Sequence, residues 1–207
     1  PQLIISLKFG ESDFFRFLPL NRHFFRGPQR KIIELQARRE YEGCGEYPSY
    51  IGGEYERYRR ELQAGGARLA GIMVWCQTGG WTTFRRLTYV EDSSVWTEIN
   101  THVALRLFRD GMTADEAVDD WCRATGREQV AAQVRHLLHL SEEVVCSGLY
   151  MDEISGQKLF FRRLRVPPLL WVFWDQVLIS RGVGLVLDCL VRDGRRQVAQ
   201  AEAALRK

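Results

Sequence analysis

Cysteine is scarce and shows no pattern in this chain. Five cysteines, Cys44, Cys76, Cys122, Cys146 and Cys189, are spread over 207 residues without a CxxC pair. An odd, widely spaced set excludes a disulfide framework and the usual zinc modules. Free cysteines of this kind serve as small buried hydrophobes and point to a reducing, cytoplasmic compartment. Charge of one sign is missing too: 29 Lys and Arg face 26 Asp and Glu, for a net charge of +3. Nucleic-acid binders concentrate basic residues in a stripe. Here the densest basic group, Arg162, Arg163 and Arg165, reads as a solvated turn. No apolar run reaches the roughly 18 residues of a membrane span. The richest, "VPPLLWVFWDQVLIS", is cut by Asp175 and Gln176. Neither nucleic acid nor membrane is therefore an expected partner. GxxxxGK[ST] and GxGxxG stretches are both lacking, which removes the phosphate-cradling loops. His23 has no partner at metal spacing, and His136 and His139 fit a helix surface, so no metal or cofactor is expected.

What is present is an alternation of strand-like and helix-like segments. Leu3 to Lys8 is a short apolar run suited to a strand covered on both faces. A long loop punctuated by Pro19, Asn21, Gly27 and Pro28 leads to a second strand, Lys31 to Gln36. Another Gly- and Pro-rich loop precedes a helix over Glu54 to Gln63, and a third strand over Leu69 to Trp75 lies between glycine pairs. This βαβ grammar implies parallel pairing and an α/β fold. From Val95 the pattern turns helical. One helix runs from Trp96 to Phe108, and Gly111 stops it. Thr113 with Glu116 forms a capping box for the next, and another spans Arg127 to Leu149. Further helices are expected from Pro167 through Trp174 and from Gly184 to Leu205. The organisation changes near residue 110, dividing the chain into 1–110 and a helical 111–207. The opening "PQLIISL" lies directly inside a core-like strand, which suggests a piece of a longer protein.

In parallel α/β folds, chemistry gathers at the carboxyl ends of strands, where the loops converge. The first strand delivers Lys8 and Asp13. The second delivers Glu34, then Arg38, Arg39, Glu40, Tyr41, Glu42 and Glu46, and the third delivers Trp75, Gln77 and Trp81. Carboxylates, cations and indoles together suit sugar chemistry. Cleaving a glycosidic bond takes one carboxyl to protonate the leaving oxygen and another to activate water or attack the anomeric carbon. Tryptophan stacks on the sugar ring, and Lys or Arg pairs with an anionic sugar. Each residue also has a plainer reading. Asp13 fits a turn cap after Gly10, and Glu40 fits a surface network with Arg38 and Arg39. Trp75 reads as core and Trp81 as pocket lining. Glu42 and Glu46 read as solvent-facing.

"LKFGESDFF" followed by "IIELQARREYEG" resembles the latter part of the catalytic barrel of the α-glucuronidases of glycoside hydrolase family 67. Lys8 stands five residues before Asp13, and Gln36, Glu40, Tyr41 and Gly43 match a Q-x-x-x-E-Y-x-G stretch. "LAGIMVWCQTGGW" is similar to the next barrel strand, and "INTHVALRLFRDGMTADEAVDDW" to the last barrel helix and the opening of the helical domain. The resemblance implies the last three strands or so of a (β/α)₈ TIM barrel followed by an all-helical C-terminal region. It implies an inverting hydrolase in which Asp13 and Glu40 activate a water and Lys8 binds the uronic acid. Arg39 and Trp81 are expected as further substrate contacts from their place at the strand ends, not from the resemblance. The general acid lies upstream of this chain in such a barrel. "EGCGEYPSYIGG" and "CQTGGW" depart from the family's wording and leave room for a sister family acting on another sugar. The expected partner is a carbohydrate, and the C-terminal helices offer a homodimer face. The alternative is a non-catalytic carbohydrate-binding or interaction protein derived from a TIM barrel.

Overall fold

Ile33 and Leu35 have no exposed surface, whereas Ile32 and Glu34 between them keep some. Such alternation marks a strand with one face packed and one face open. The computed structural model describes residues 3–10, 14–43, 45, 48–77 and 95–150, with short pieces at 160–161, 164–165, 199–200, 202–203 and 206. Its elements run β1 (Ile4–Lys8), β2 (Arg30–Gln36), α1 (Gly52–Ala64), β3 (Leu69–Trp75), α2 (Val95–Leu105), α3 (Ala114–Ala124) and α4 (Ala131–Leu149). A minimal antiparallel pair, β4 (Phe160–Phe161) and β5 (Leu164–Arg165), follows. β1, β2 and β3 form one parallel sheet in that order, so the fold is α/β.

The helix ends follow the sequence signals. α2 continues as a π-helical turn over Arg106–Asp110 and stops at Gly111, whose φ of 74° is cheap only for glycine. Thr113 opens α3 through a reciprocal capping box: its hydroxyl accepts the Glu116 amide at 3.2 Å, and Glu116 accepts the Thr113 amide at 2.8 Å. The core draws on every described layer, with Phe9, Ile33 and Leu35 meeting Tyr55 and Leu62 of α1, Val103 of α2, Trp121 of α3 and Leu138 of α4. Residues on either side of position 110 thus share one apolar cluster.

Two expectations are corrected. Among the described residues, the strands are not covered on both faces. The described helices pack on the side of Ile33 and Leu35, because register places Ser6, Ile32 and Gly71, then Lys8, Glu34 and Met73, together on the opposite side. There Ile4 and Met73 are exposed. Nor is the C-terminal region wholly helical, since Phe160–Phe161 pairs with Leu164–Arg165, and phenylalanine is among the residues that favour strands. The helix expected from Pro167 and most of that expected from Gly184 lie outside the described residues, with 199–200 and 202–203 helical.

Candidate functional site

Three anchors bring the strand ends to one rim. The Tyr55 hydroxyl of α1 donates to the Gln36 carbonyl at 2.7 Å and accepts the Gln36 amide at 2.8 Å, closing the end of β2. The Trp75 carbonyl accepts the amides of Ala37 at 2.9 Å and Arg38 at 3.3 Å, tying the next loop to β3. Asn100 of α2 donates to the carbonyls of Ala37 and Ser49, each at 3.1 Å, and accepts the Ile51 amide at 3.3 Å. Buried backbone groups in an irregular loop need such partners, and here side chains from two helices supply them.

The rim collects charged, amide and aromatic groups. Lys8 lies beside Glu34 in register, and its ammonium sits 4.5 Å from the centre of the Phe14 ring. Glu34 accepts the Trp75 indole N–H at 3.3 Å, which fixes a tryptophan that is 41% exposed. Gln36 donates to Glu40 Oε2 at 3.4 Å and accepts the Glu40 amide at 3.3 Å. Arg38 donates to Gln77 Oε1 at 3.0 Å. Half-buried carboxylates, an ordered indole and fixed amides within one rim are able to hydrogen-bond and stack on a polyhydroxylated ring.

Behind the rim lies a buried ion cluster centred on Glu42. Arg16 donates to Glu42 through Nε at 3.1 Å and Nη2 at 3.0 Å, and Arg39 through Nε at 3.2 Å and Nη2 at 2.8 Å. The Tyr150 hydroxyl adds a bond of 2.5 Å. Arg16 reaches on to Glu142 at 2.7 Å and to the Tyr50 carbonyl, and Arg39 reaches the Phe14 carbonyl at 2.8 Å. Burial by itself would raise the Glu42 pKa; Arg16 and Arg39 overcome it and hold the carboxyl at about 2. Burial pushes Glu142 up, and the pull of Arg16 only partly opposes it. Burial also pushes the Cys146 thiol up to about 12, so it is an inert packing group.

Of the expected site residues, Lys8 and Glu40 stand at the rim, half-buried. Arg39 is buried, its guanidinium turned inward to Glu42 and Phe14. Asp13 and Trp81 lie outside the described residues. Glu42, read as solvent-facing, is instead fully buried, because two arginines and a tyrosine compensate its charge. Trp75, read as core, stands on the open face of the sheet. Glu46 is outside the described residues. Among the described residues, no group of three or more His, Cys, Asp and Glu side chains is arranged to hold a metal ion. Nor, among them, is any helix long and apolar enough to cross a membrane. No protein-family model matches this chain, and no curated protein matches it either.

Proposed function

We propose that the chain is the later part of a (β/α)₈ glycoside hydrolase, α-glucuronidase-like and inverting. The observation that carries this reading is the rim itself: three adjacent parallel strands deliver Lys8, Glu40 and Trp75 to their common carboxyl end. Active sites of parallel barrels lie at that end. In this reading Glu40, with Asp13, takes the proton of the attacking water. Lys8 pairs with the carboxylate of an anionic sugar, and Trp75 and Trp81 offer stacking faces. Arg39 positions rather than binds, since its donors are turned inward. The leaving oxygen is protonated by a carboxylic acid on a strand of the same barrel outside this sequence. Inversion requires that acid to stand ~6.5–9.5 Å from the water-activating carboxylate, leaving room for the water.

The sheet supports the barrel. Parallel strands are ordinarily covered on both faces, and here the face bearing Ile4, Met73 and Trp75 is exposed. In a closed barrel that face is the interior. The test is Glu40→Gln and Asp13→Asn in the complete natural polypeptide, assayed on aryl α-glucuronides and glucuronoxylan oligomers. Loss of a general base lowers turnover by about 10²–10⁴-fold. Unchanged turnover in both variants removes the assigned roles. Oligosaccharide binding by a wild-type protein that hydrolyses nothing would instead support a carbohydrate-binding descendant of the barrel.

A further inference from the structure

We infer that Glu42 is a positioning residue for Glu40, and that Tyr150 and Glu142, from the helical part of the chain, complete the clamp that holds it; this rests on Glu40 acting at the proposed site. Four observations converge.

The first is local. Arg39, Glu40, Tyr41 and Glu42 form a turn closed by the Glu42 amide on the Arg39 carbonyl at 3.0 Å. The side chains of its first and last residues are clamped as well, through paired Arg39–Glu42 bonds. The turn is therefore closed twice, by backbone and by side chains, with Glu40 held between. The second concerns the remaining turn residue. Tyr41 stacks on Phe15 with ring centres 4.4 Å apart, and both belong to an apolar cluster with Val145 and Tyr150.

The third observation links two strand ends. Arg39 donates to the carbonyl of Phe14, the residue after Asp13 in sequence, and Arg16 from the same loop shares Glu42. The loop after β1 and the turn after β2 thus hang from one carboxylate. The fourth is backbone strain. Phe17, next to Arg16, has a φ of 61°, rare for a non-glycine aromatic residue. Such a conformation persists where its surroundings over-determine it. Here the Phe17 amide is held by Glu54 at 3.0 Å, and its ring meets Tyr150 edge-on at 5.4 Å.

A buried, fully bonded ionic cluster is a rigid mount rather than a reactive group. Arg16 and Arg39 are each 1% exposed and Glu42 is 0% exposed, so bulk solvent and substrate have no access to them. What the cluster does is fix the Glu40 backbone against the β1 loop. A displacement of ~1 Å in such a group costs on the order of a hundredfold in rate.

The test uses Tyr150→Phe, which deletes one hydroxyl and leaves both arginine pairs intact, beside Glu42→Gln and Glu42→Asp in the complete polypeptide. Amide hydrogen exchange at residues 40–43 and steady-state kinetics are read together. We expect faster exchange in Tyr150→Phe, a kcat lower by about tenfold with KM little changed, and the same pH profile as wild type. Glu42→Gln loses more, and Glu42→Asp recovers part of that loss. If exchange at 40–43 and kcat are both unchanged in Tyr150→Phe, the inference is overturned. It is also overturned if kcat in a folded Glu42→Gln protein equals wild type while Glu40→Gln is inactive. If Glu40→Gln itself turns over normally, the functional reading fails instead; accelerated exchange in Tyr150→Phe would then leave the mechanical clamp standing.

Discussion

Replacing Glu42 by Gln exchanges one fully buried carboxylate oxygen for an NH₂ group. The carboxylate accepts five side-chain hydrogen bonds, two from Arg16, two from Arg39 and one from Tyr150. A Gln side chain of the same shape keeps one oxygen. With that oxygen at the Oε1 position, its NH₂ faces Arg16 Nη2 and Arg39 Nε, both donors. Two bonds become donor–donor contacts, and Arg39 loses its only carboxylate partner among the described residues. Removing one member of a buried ion pair costs about 3–5 kcal/mol, because the remaining charge stays desolvated. With two cations on one acid, the upper part of that range is expected, about 4–5 kcal/mol. Domains of ordinary stability have about 5–15 kcal/mol in total. Urea unfolding at pH 7, monitored by tryptophan fluorescence, should show a lower midpoint at an unchanged slope. Adding Arg39→Met to Glu42→Gln should recover about 2 kcal/mol relative to additivity, since it removes the orphaned cation. Acid unfolding gives an independent sign. Glu42 is held at about 2 in the folded chain, against about 4.3 when unfolded, so the unfolded state binds its proton first. Its stabilisation, on the order of 3 kcal/mol, is complete above roughly pH 5 and is lost as pH falls toward 2. Glu142 has the opposite sign, because a carboxyl raised by burial relieves an unfavourable charge when it protonates. Wild type should therefore lose stability at the acid end, where Asp110, Glu116 and Asp120 are also held below the usual carboxylate range, and Glu42→Gln should show a shallower acid limb. A variant within 0.5 kcal/mol of wild type at pH 7, with the same acid limb, would refute the reasoning.

Other substitutions test separate parts of the fold. Thr113→Ala removes the capping box of α3 and should cost about 1 kcal/mol in denaturant unfolding, with Thr113→Ser close to wild type. Asn100→Ala leaves the buried carbonyls of Ala37 and Ser49 and the Ile51 amide without their partner and should cost about 2–3 kcal/mol. If the proposed function holds, Trp75→Ala should weaken oligosaccharide binding by tenfold or more in calorimetry; equal affinity would remove Trp75 from the site.

The elements of the first 150 residues were legible because their signals are local. Strand runs are bounded by Gly and Pro, α3 opens with Thr113 and Glu116, and Gly111 stops the helix before it. The parallel sense followed from the helix between β2 and β3. The burial of Glu42 was not legible, because nothing near it in sequence announces it. Arg39 and Glu42 at i and i+3 look like an ordinary surface pair. The groups that make burial affordable to the carboxylate, Arg16 and Tyr150, lie 26 and 108 residues away. Trp75 was misread for a related reason. "LAGIMVW" looks uniformly apolar, and only the register to β2, shifted between Lys31 and Ile32, decides which of its side chains face the helices. The one available hint was Gly71, a residue without a side chain at the middle of that open row.

The open face of the sheet separates three readings of the fold. A solvent face would be polar throughout, and a docking face for another apolar surface would stay apolar to the end. This face is neither. Its rows run Ile4 beside Arg30, then Ser6, Ile32 and Gly71, then Lys8, Glu34 and Met73, and finally Gln36 beside Trp75. Apolar and polar side chains share every row. In the barrel proposed above this face would line the interior, with Gln36 and Trp75 in the layer nearest the mouth. The anchors lie at that carboxyl rim: Tyr55, Asn100 and the Glu42 cluster all fix backbone there, where loops rather than strands must hold their shape. Side chains from helices on both sides of residue 110 are thus spent on one rim, which is the pattern expected where loop geometry, more than sheet stability, is what the fold has to maintain.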